Sequence, residues 1–419
     1  MWLLLSSHVV DDPSSWELDS KMLDTVYRGL ALRPTLQSLT ISFASERTPR
    51  PTTVIPPMAN LRHLKVMNID PLCYPDDISV LLLHSKNLRE LQLHWSERMR
   101  IELEPSVNLS SYFGKCIAAK YTLPVRSVGF QNLYALPVDG FETVFDKEEI
   151  RSITYLNSFE TGGEDTLFLD QLWLARAKST AKRFSNLKVM RGDRLSKAHA
   201  ELLGTMTGLE ELYYVNEKHA RGANGSRRST PGSTLSPDVA SNASTPSQGN
   251  VSSLGRDYID SITRGHGQTL KILLLSDKWK LGQQQLALLV RSCPNLEQLG
   301  LALEKHNFDL LSILLPFLPN IYAVRLLDDA AEPSYQSIID GVNDATHRDS
   351  MGHDMYERNY RLLRYIGLGS EKVFEIGKEV VECDRVGDAG ERLYKRPIWW
   401  VPRQVIENYP LWAMDSPDL

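Results

Sequence analysis

The sequence predicts an α/β fold: a curved parallel sheet with helices on its convex face, and a hairpin-like cap at its C-terminal end. Three observations predict it. A short motif recurs along most of the chain, an apolar residue followed three and five positions later by two more. Successive copies cluster at a spacing of 22–27 residues. Amphipathic segments of helical period precede several copies and end in a proline or asparagine break.

Clear copies start at Leu36, Leu61, Leu88, Leu209, Leu270, Leu296, Ile321 and Leu363, as in Asn60-Leu61-Arg62-His63-Leu64-Lys65-Val66. Weaker copies start at Val125, Ile150 and Leu187. The gaps are 25, 27, 37, 25, 37, 22, 61, 26, 25 and 42 residues. Such a period accommodates one strand and one helix per turn, the period of a leucine-rich repeat. Each unit cannot bury its apolar face alone, so stacked neighbours share one core.

Helices are expected before the strands, at 76–84, 196–206, 283–292 and 308–317. In the third, Leu286, Leu289 and Val290 fall on one face. Breaks at Cys293-Pro294-Asn295 and Leu318-Pro319-Asn320 end two of these helices. Proline cannot continue a helix and biases its predecessor towards extended backbone.

Two gaps hold insertions. Residues 217–254 are rich in Ser, Gly, Thr, Asn, Ala and Pro, with no aromatic between Tyr214 and Tyr258. They cannot bury enough apolar area to offset ordering, so a disordered loop is expected. Its Thr230, Ser236 and Thr245 each precede a proline and are candidate phosphorylation sites. Residues 329–356 read as a smaller polar insertion. The solenoid is assigned to 1–368 and a capping segment to 369–419, where Lys372 to Val381 and Pro397 to Val401 read as strands of a closing hairpin. At the other end, Leu3-Leu4-Leu5 reads as a strand with no helix ahead of it. The chain then opens in mid-repeat: either a non-repeat cap lies in Glu17 to Leu32, or an N-terminal segment is missing, and the second is expected.

Composition excludes several function classes. Charged residues are 24% of the chain, with 47 Lys and Arg against 52 Asp and Glu. A net charge of −5 argues against nucleic acid as partner, which calls for a basic surface. No apolar run approaches the roughly 20 residues that span a bilayer, so no membrane partner is expected. Four scattered cysteines suit a reducing compartment, and the cytoplasm or nucleus is expected. No catalytic motif occurs, and no cofactor is expected. His347, Asp349, His353 and Asp354 are the one grouping with metal-ligand chemistry, but their spacing fits no known site, and a solvated loop is expected.

The surface left to carry function is the concave sheet face. Alternation points the residues between the apolar positions towards it. Its candidate partner-binding residues are His63, Lys65, Glu90, Gln92, His94, Glu211, Tyr213, Gln298, Arg325 and Tyr365. Tyr and Arg are common anchors of protein interfaces.

The irregular repeat, the Cys293-Pro294-Asn295-Leu296 break and the tail Gly377-Lys378-Glu379-Val380 … Pro410-Leu411-Trp412-Ala413-Met414-Asp415-Ser416 resemble fungal F-box-like leucine-rich-repeat proteins. The resemblance implies that Cys293 is a buried small residue. It also implies a substrate receptor of an SCF-type ubiquitin ligase, in which an F-box docks on a Skp-type adaptor and the repeats hold the protein substrate. No F-box is visible in the sequence, so the adaptor is a partner only of a product with an F-box upstream. The alternative is an adaptor-independent scaffold that binds protein through the same face.

Overall fold

A computed structural model of the chain describes residues 14–18, 22–43, 52–70, 77–98, 102, 107–136, 143–156, 185–193, 197–216, 248–304, 313–327, 345–358, 360, 362–369, 372–386 and 392–419. The chain divides into two compact units, one of residues 1–189 with 418–419, the other of residues 190–417. Leu3 to Leu5, Thr230, Ser236 and Thr245 lie outside the described residues.

The first unit carries β1 (Ser15–Leu18), β2 (Ser38–Ser42), β3 (His63–Ile69), β4 (Glu90–Trp95), β5 (Val107–Asn108), β6 (Ser127–Gln131), β7 (Ala135–Leu136) and β8 (Ser152–Leu156). Strands β1, β2, β3, β4, β6 and β8 lie side by side in that order, all parallel. Parallel neighbours need crossovers. The helices Asp24–Ala31, Ser79–His84 and Ser110–Ala118 lie in three of them. Strand β2 alternates strictly, with Leu39 and Ile41 buried and Ser38, Thr40 and Ser42 half-buried. Trp95 meets Tyr112 edge-on, and Phe113 meets Phe145, which fixes the helix Ser110–Ala118 against the core.

Strand β9 (Val189–Gly192) spans the division of the chain. The second unit continues with β10 (Glu211–Tyr214), β11 (Ile272–Leu274), β12 (Lys280–Leu281), β13 (Gln298–Leu303), β14 (Ala323–Leu326), β15 (Tyr365–Leu368), β16 (Lys372–Ile376), β17 (Val381–Val386), β18 (Arg392–Lys395) and β19 (Ile398–Val401). Strands β10, β11, β13, β14 and β15 are parallel neighbours, and β16 and β19 then add antiparallel. The expected closing strands are therefore β16 and β19. Between them in sequence, β17 and β18 make a separate two-stranded ribbon.

The fold class is thus mixed α/β with mostly parallel sheets. All eleven motif-opening residues, from Leu36 to Leu363, are at most 3% exposed. The helix Gln283–Ser292 has the expected bounds and buries Leu286, Leu289 and Val290. Cys293 is buried, and burial pushes its thiol up to about 12. It is inert as a nucleophile there.

Two expectations need correction. The helix Gln248–Gly265 begins inside the span 217–254 assigned to disorder. Its Tyr258, Ile259 and Ile262 are fully buried, and Tyr258 stacks within 4.7 Å of Trp279. The apolar positions after 254 are enough to order the turn before them. Residues 345–357, expected within a polar loop, form the helix Ala345–Glu357. It lies against β18: Asp349 pairs with Lys395, and His353 Nδ1 donates to Tyr394 O at 2.8 Å. A Cβ at Gly352 would sit 2.4 Å from Arg396 O, so close approach demands glycine. The His353 contact satisfies a β18 carbonyl and the Asp349 contact a β18 side chain. Among the described residues no group of three His, Cys, Asp or Glu is placed to hold a metal.

The asparagine before the motif has a physical role that the sequence reading left open. Asn60 Nδ2 donates to Pro34 O at 2.7 Å, Asn87 to Ala59 O at 2.8 Å, Asn186 to Glu148 O at 2.7 Å and Asn295 to Gln268 O at 2.8 Å. Each side chain ties its turn to a backbone carbonyl of the turn before. Asn295→Ala is expected to cost about 0.5–1.5 kcal/mol, as one hydrogen bond lost at an exposed site. Urea unfolding with an unchanged m-value checks it.

His266 closes the turn after the helix Gln248–Gly265. Its Nδ1 accepts from Leu209 N–H at 3.2 Å, and its Nε2 donates to Leu203 O at 3.1 Å. That pattern requires a neutral ring. Burial lowers its pKa below the ordinary 6.5. The unfolded chain therefore binds a proton that the folded chain refuses. This contribution is complete above about pH 6.5 and shrinks as pH falls towards the lowered folded value. Unfolding midpoints at pH 7.5 and 5.0 should differ more for the wild type than for His266→Gln.

Candidate partner-binding faces

In the first unit the sheet register brings the predicted residues together. Ser38, His63, Glu90, Ser127 and Ser152 form one row, and Thr40, Lys65, Gln92, Gly129 and Thr154 the next. Ser38, Thr40, His63, Lys65, Glu90 and Gln92 line a groove of about 200 Å³. Both Glu90 oxygens are engaged, Oε2 by His63 Nδ1 at 3.0 Å and Oε1 by Gln92 Nε2 at 2.6 Å. The His63 side chain remains half exposed. These contacts hold Glu90 and Gln92 in fixed rotamers.

The groove is bounded by residues 418–419. Lys65 Nζ donates to Leu419 O at 2.6 Å, and Leu419 N–H donates to Gln131 Oε1 at 3.0 Å. A Cβ at Gly129 would meet Leu419 Cδ2 at 2.9 Å, so the missing side chain makes the seat for that leucine. His94 lies beside this contact, with Nε2 accepting from Asn132 Nδ2 at 3.3 Å. Burial lowers its pKa, against the opposing field of Asp418.

In the second unit the face is closed, and four predicted residues are not available to a partner. Tyr213, Gln298, Arg325 and Tyr365 are each at most 2% exposed. Glu211 is half-buried and accepts from Tyr213 Oη at 2.7 Å. The cover is the chain's own segment around the short helix Pro410–Ala413. Leu411 N–H donates to Gln298 Oε1 at 3.0 Å, and Arg325 Nη1 donates to Leu411 O at 3.3 Å. Arg325 Nη2 pairs with Asp415 Oδ2 at 2.8 Å, and both side chains are at most 3% exposed. Tyr409 Oη donates to Tyr365 Oη at 3.2 Å, with their rings 4.9 Å apart. Alternation does place these residues on the face; an apolar, acidic segment then covers it.

Three further residues of this contact escaped sequence reading. Arg191 donates to Met414 O and Ser416 O. Asn216 N–H donates to Asp415 Oδ1 at 2.9 Å. Asp415 is the shared acceptor. One signal was legible in the sequence. Gly300 and Gly367 replace face residues in otherwise bulky strands, and both lie under the segment. A Cβ at Gly300 would stand 2.5 Å from Leu274 and 3.1 Å from Leu411, and one at Gly367 2.9 Å from Trp412.

The tyrosine hydroxyls of Tyr213 and Tyr365 are pushed well above their ordinary value, first by burial. They serve as hydrogen-bonding groups at neutral pH. Among the described residues no helix is long and apolar enough to cross a membrane. No family model matches the chain, and no curated protein matches it.

Proposed function

We propose that the chain is a leucine-rich-repeat solenoid whose role is to bind a protein partner through the open face of its first unit. The carrying observation is the groove of Ser38, Thr40, His63, Lys65, Glu90 and Gln92, which presents donors and acceptors in fixed register. A polar face of this kind reads the backbone and side chains of another protein. The eleven buried motif positions and the parallel ladder support the repeat reading.

Affinity capture from cells tests this directly. Lys65→Glu with Glu90→Lys should lose partners that the wild type and Lys115→Glu, on an exposed helix position, both retain. Equal partner sets for all three would exclude the groove.

The resemblance extends the proposal to a substrate receptor of an SCF-type ubiquitin ligase working in the cytoplasm or nucleus. On that reading the groove holds the substrate, and the adaptor contact belongs to an F-box. Residues 1–419 should then fail to bind a purified Skp-type adaptor in a titration, and tight binding would place the docking element inside this chain.

A further inference from the structure

The segment over the second unit is bound in the manner of a peptide ligand. Side chains of the sheet face hold its backbone. Gln298 reads the Leu411 N–H, Arg325 the Leu411 carbonyl, and Arg191 the carbonyls of Met414 and Ser416. Side chains can hold an irregular backbone in this way because its buried N–H and C=O groups need partners outside a ladder. Leu411 and Trp412 are seated over Gly300 and Gly367, whose lack of a side chain makes the two seats. Asp415 supplies the anion that two desolvated groups require, Arg325 Nη2 and the Asn216 amide.

The core on the opposite side of the sheet does not draw on this segment. Leu299, Leu301, Val324 and Leu326 point the other way along the same strands and are buried there. The covered face, by contrast, sets Gln298 and Arg325 among the buried Tyr213, Ile272, Leu274, Ala323 and Tyr365, with Arg191 and Asn216 also reaching the segment. Its polar members are the groups that engage the segment's backbone and its carboxylate. Arginine in particular forms planar, directed contacts with carboxylates and carbonyls.

We propose that this face is a peptide site whose resident ligand is residues 410–416 of the same chain. It accepts in trans a peptide of the same chemistry, an aliphatic–tryptophan pair followed three residues on by a carboxylate. The resident segment holds the site by its high local concentration, so an incoming peptide gains access when the segment is released.

The test uses the full chain and a fluorescent peptide with the sequence of Tyr409 to Pro417. Leu411→Ser with Asp415→Asn empties one glycine seat and removes the anion. Amide exchange should show lost protection at Leu411 and Asn216, with Leu299 and Leu301 still protected. The peptide should bind this variant at least tenfold more tightly than it binds the wild type. A peptide with Asn in place of its aspartate should lose that advantage. If the double variant does not fold, Asp415→Asn alone is read by the same criteria. The proposal is overturned if protection at Leu299 and Leu301 is lost along with that at Leu411. It is overturned equally if the released chain binds the peptide no better than wild type, or if neither variant folds.

Discussion

Leu299→Ala is expected to lower the unfolding free energy by about 2–5 kcal/mol, as a buried leucine truncated to alanine in a packed core. Leu299 is the second motif residue of β13, fully buried, paired in register with Leu273 on one side and Val324 on the other. The cost combines the lost transfer of the removed carbons with the cavity they leave. Strands on both sides restrict collapse into that cavity, which puts the expectation in the upper half of the range. Urea denaturation should show a lower midpoint with little change in slope. A loss below about 1 kcal/mol would mean that β13 is not a central strand.

The second large effect is expected at Arg396. This side chain is 7% exposed and donates to three backbone carbonyls, Gly377 O at 2.7 Å, Tyr360 O at 2.6 Å and Leu363 O at 3.0 Å. It joins the start of β19 to the turn before β15 and to the end of β16. Desolvation lowers its pKa from the ordinary value, yet guanidinium remains charged at any working pH. Arg396→Met keeps most of the apolar stem and removes all three donors. Each carbonyl left unpaired in a buried site costs about 1–3 kcal/mol, so a total of about 3 kcal/mol or more is expected. Arg396→Lys should recover little, because an ammonium cannot reproduce the planar fork. Thermal unfolding of the three proteins checks the order Arg, then Lys, then Met.

The strands were legible because their signal is local. An apolar residue at each motif position must be buried for the turn to pack, and the period of 22–27 residues repeats that demand. The helix Gln283–Ser292 was equally legible, since Gly282 and Pro294 mark its ends and one apolar stripe fixes its face. The cap was legible as two strands, read over Lys372 to Val381 and Pro397 to Val401; the observed strands are the shorter Lys372–Ile376 and Ile398–Val401, antiparallel because the chain reverses after β15.

The candidate faces were only half legible, for a physical reason. Alternation tells which face a residue occupies, but not what covers that face. His63, Lys65, Glu90 and Gln92 lie on a face that stays accessible, and they line one groove. Tyr213, Gln298, Arg325 and Tyr365 obey the same alternation, yet all four are buried, the last three under a segment 44 to 113 residues distant in sequence. Nothing local to those strands encodes that contact except the glycines at 300 and 367. The helix Ala345–Glu357 was missed because its anchors, Asp349 to Lys395 and His353 to Tyr394 O, are polar and distant in sequence. Apolar periodicity does not register such an element.

The central claim is that a partner protein meets the first unit at the groove, while the matching face of the second unit is held by the chain itself. Site-specific photo-crosslinking in cells tests it most directly, with the photoreactive residue placed at Gln92 in one full-length chain and at Tyr365 in another. The account predicts an adduct to a second protein from position 92, abolished by Lys65→Glu, and from position 365 only an intrachain adduct to residues 409–416. An intermolecular adduct from position 365, with none from position 92, would contradict it.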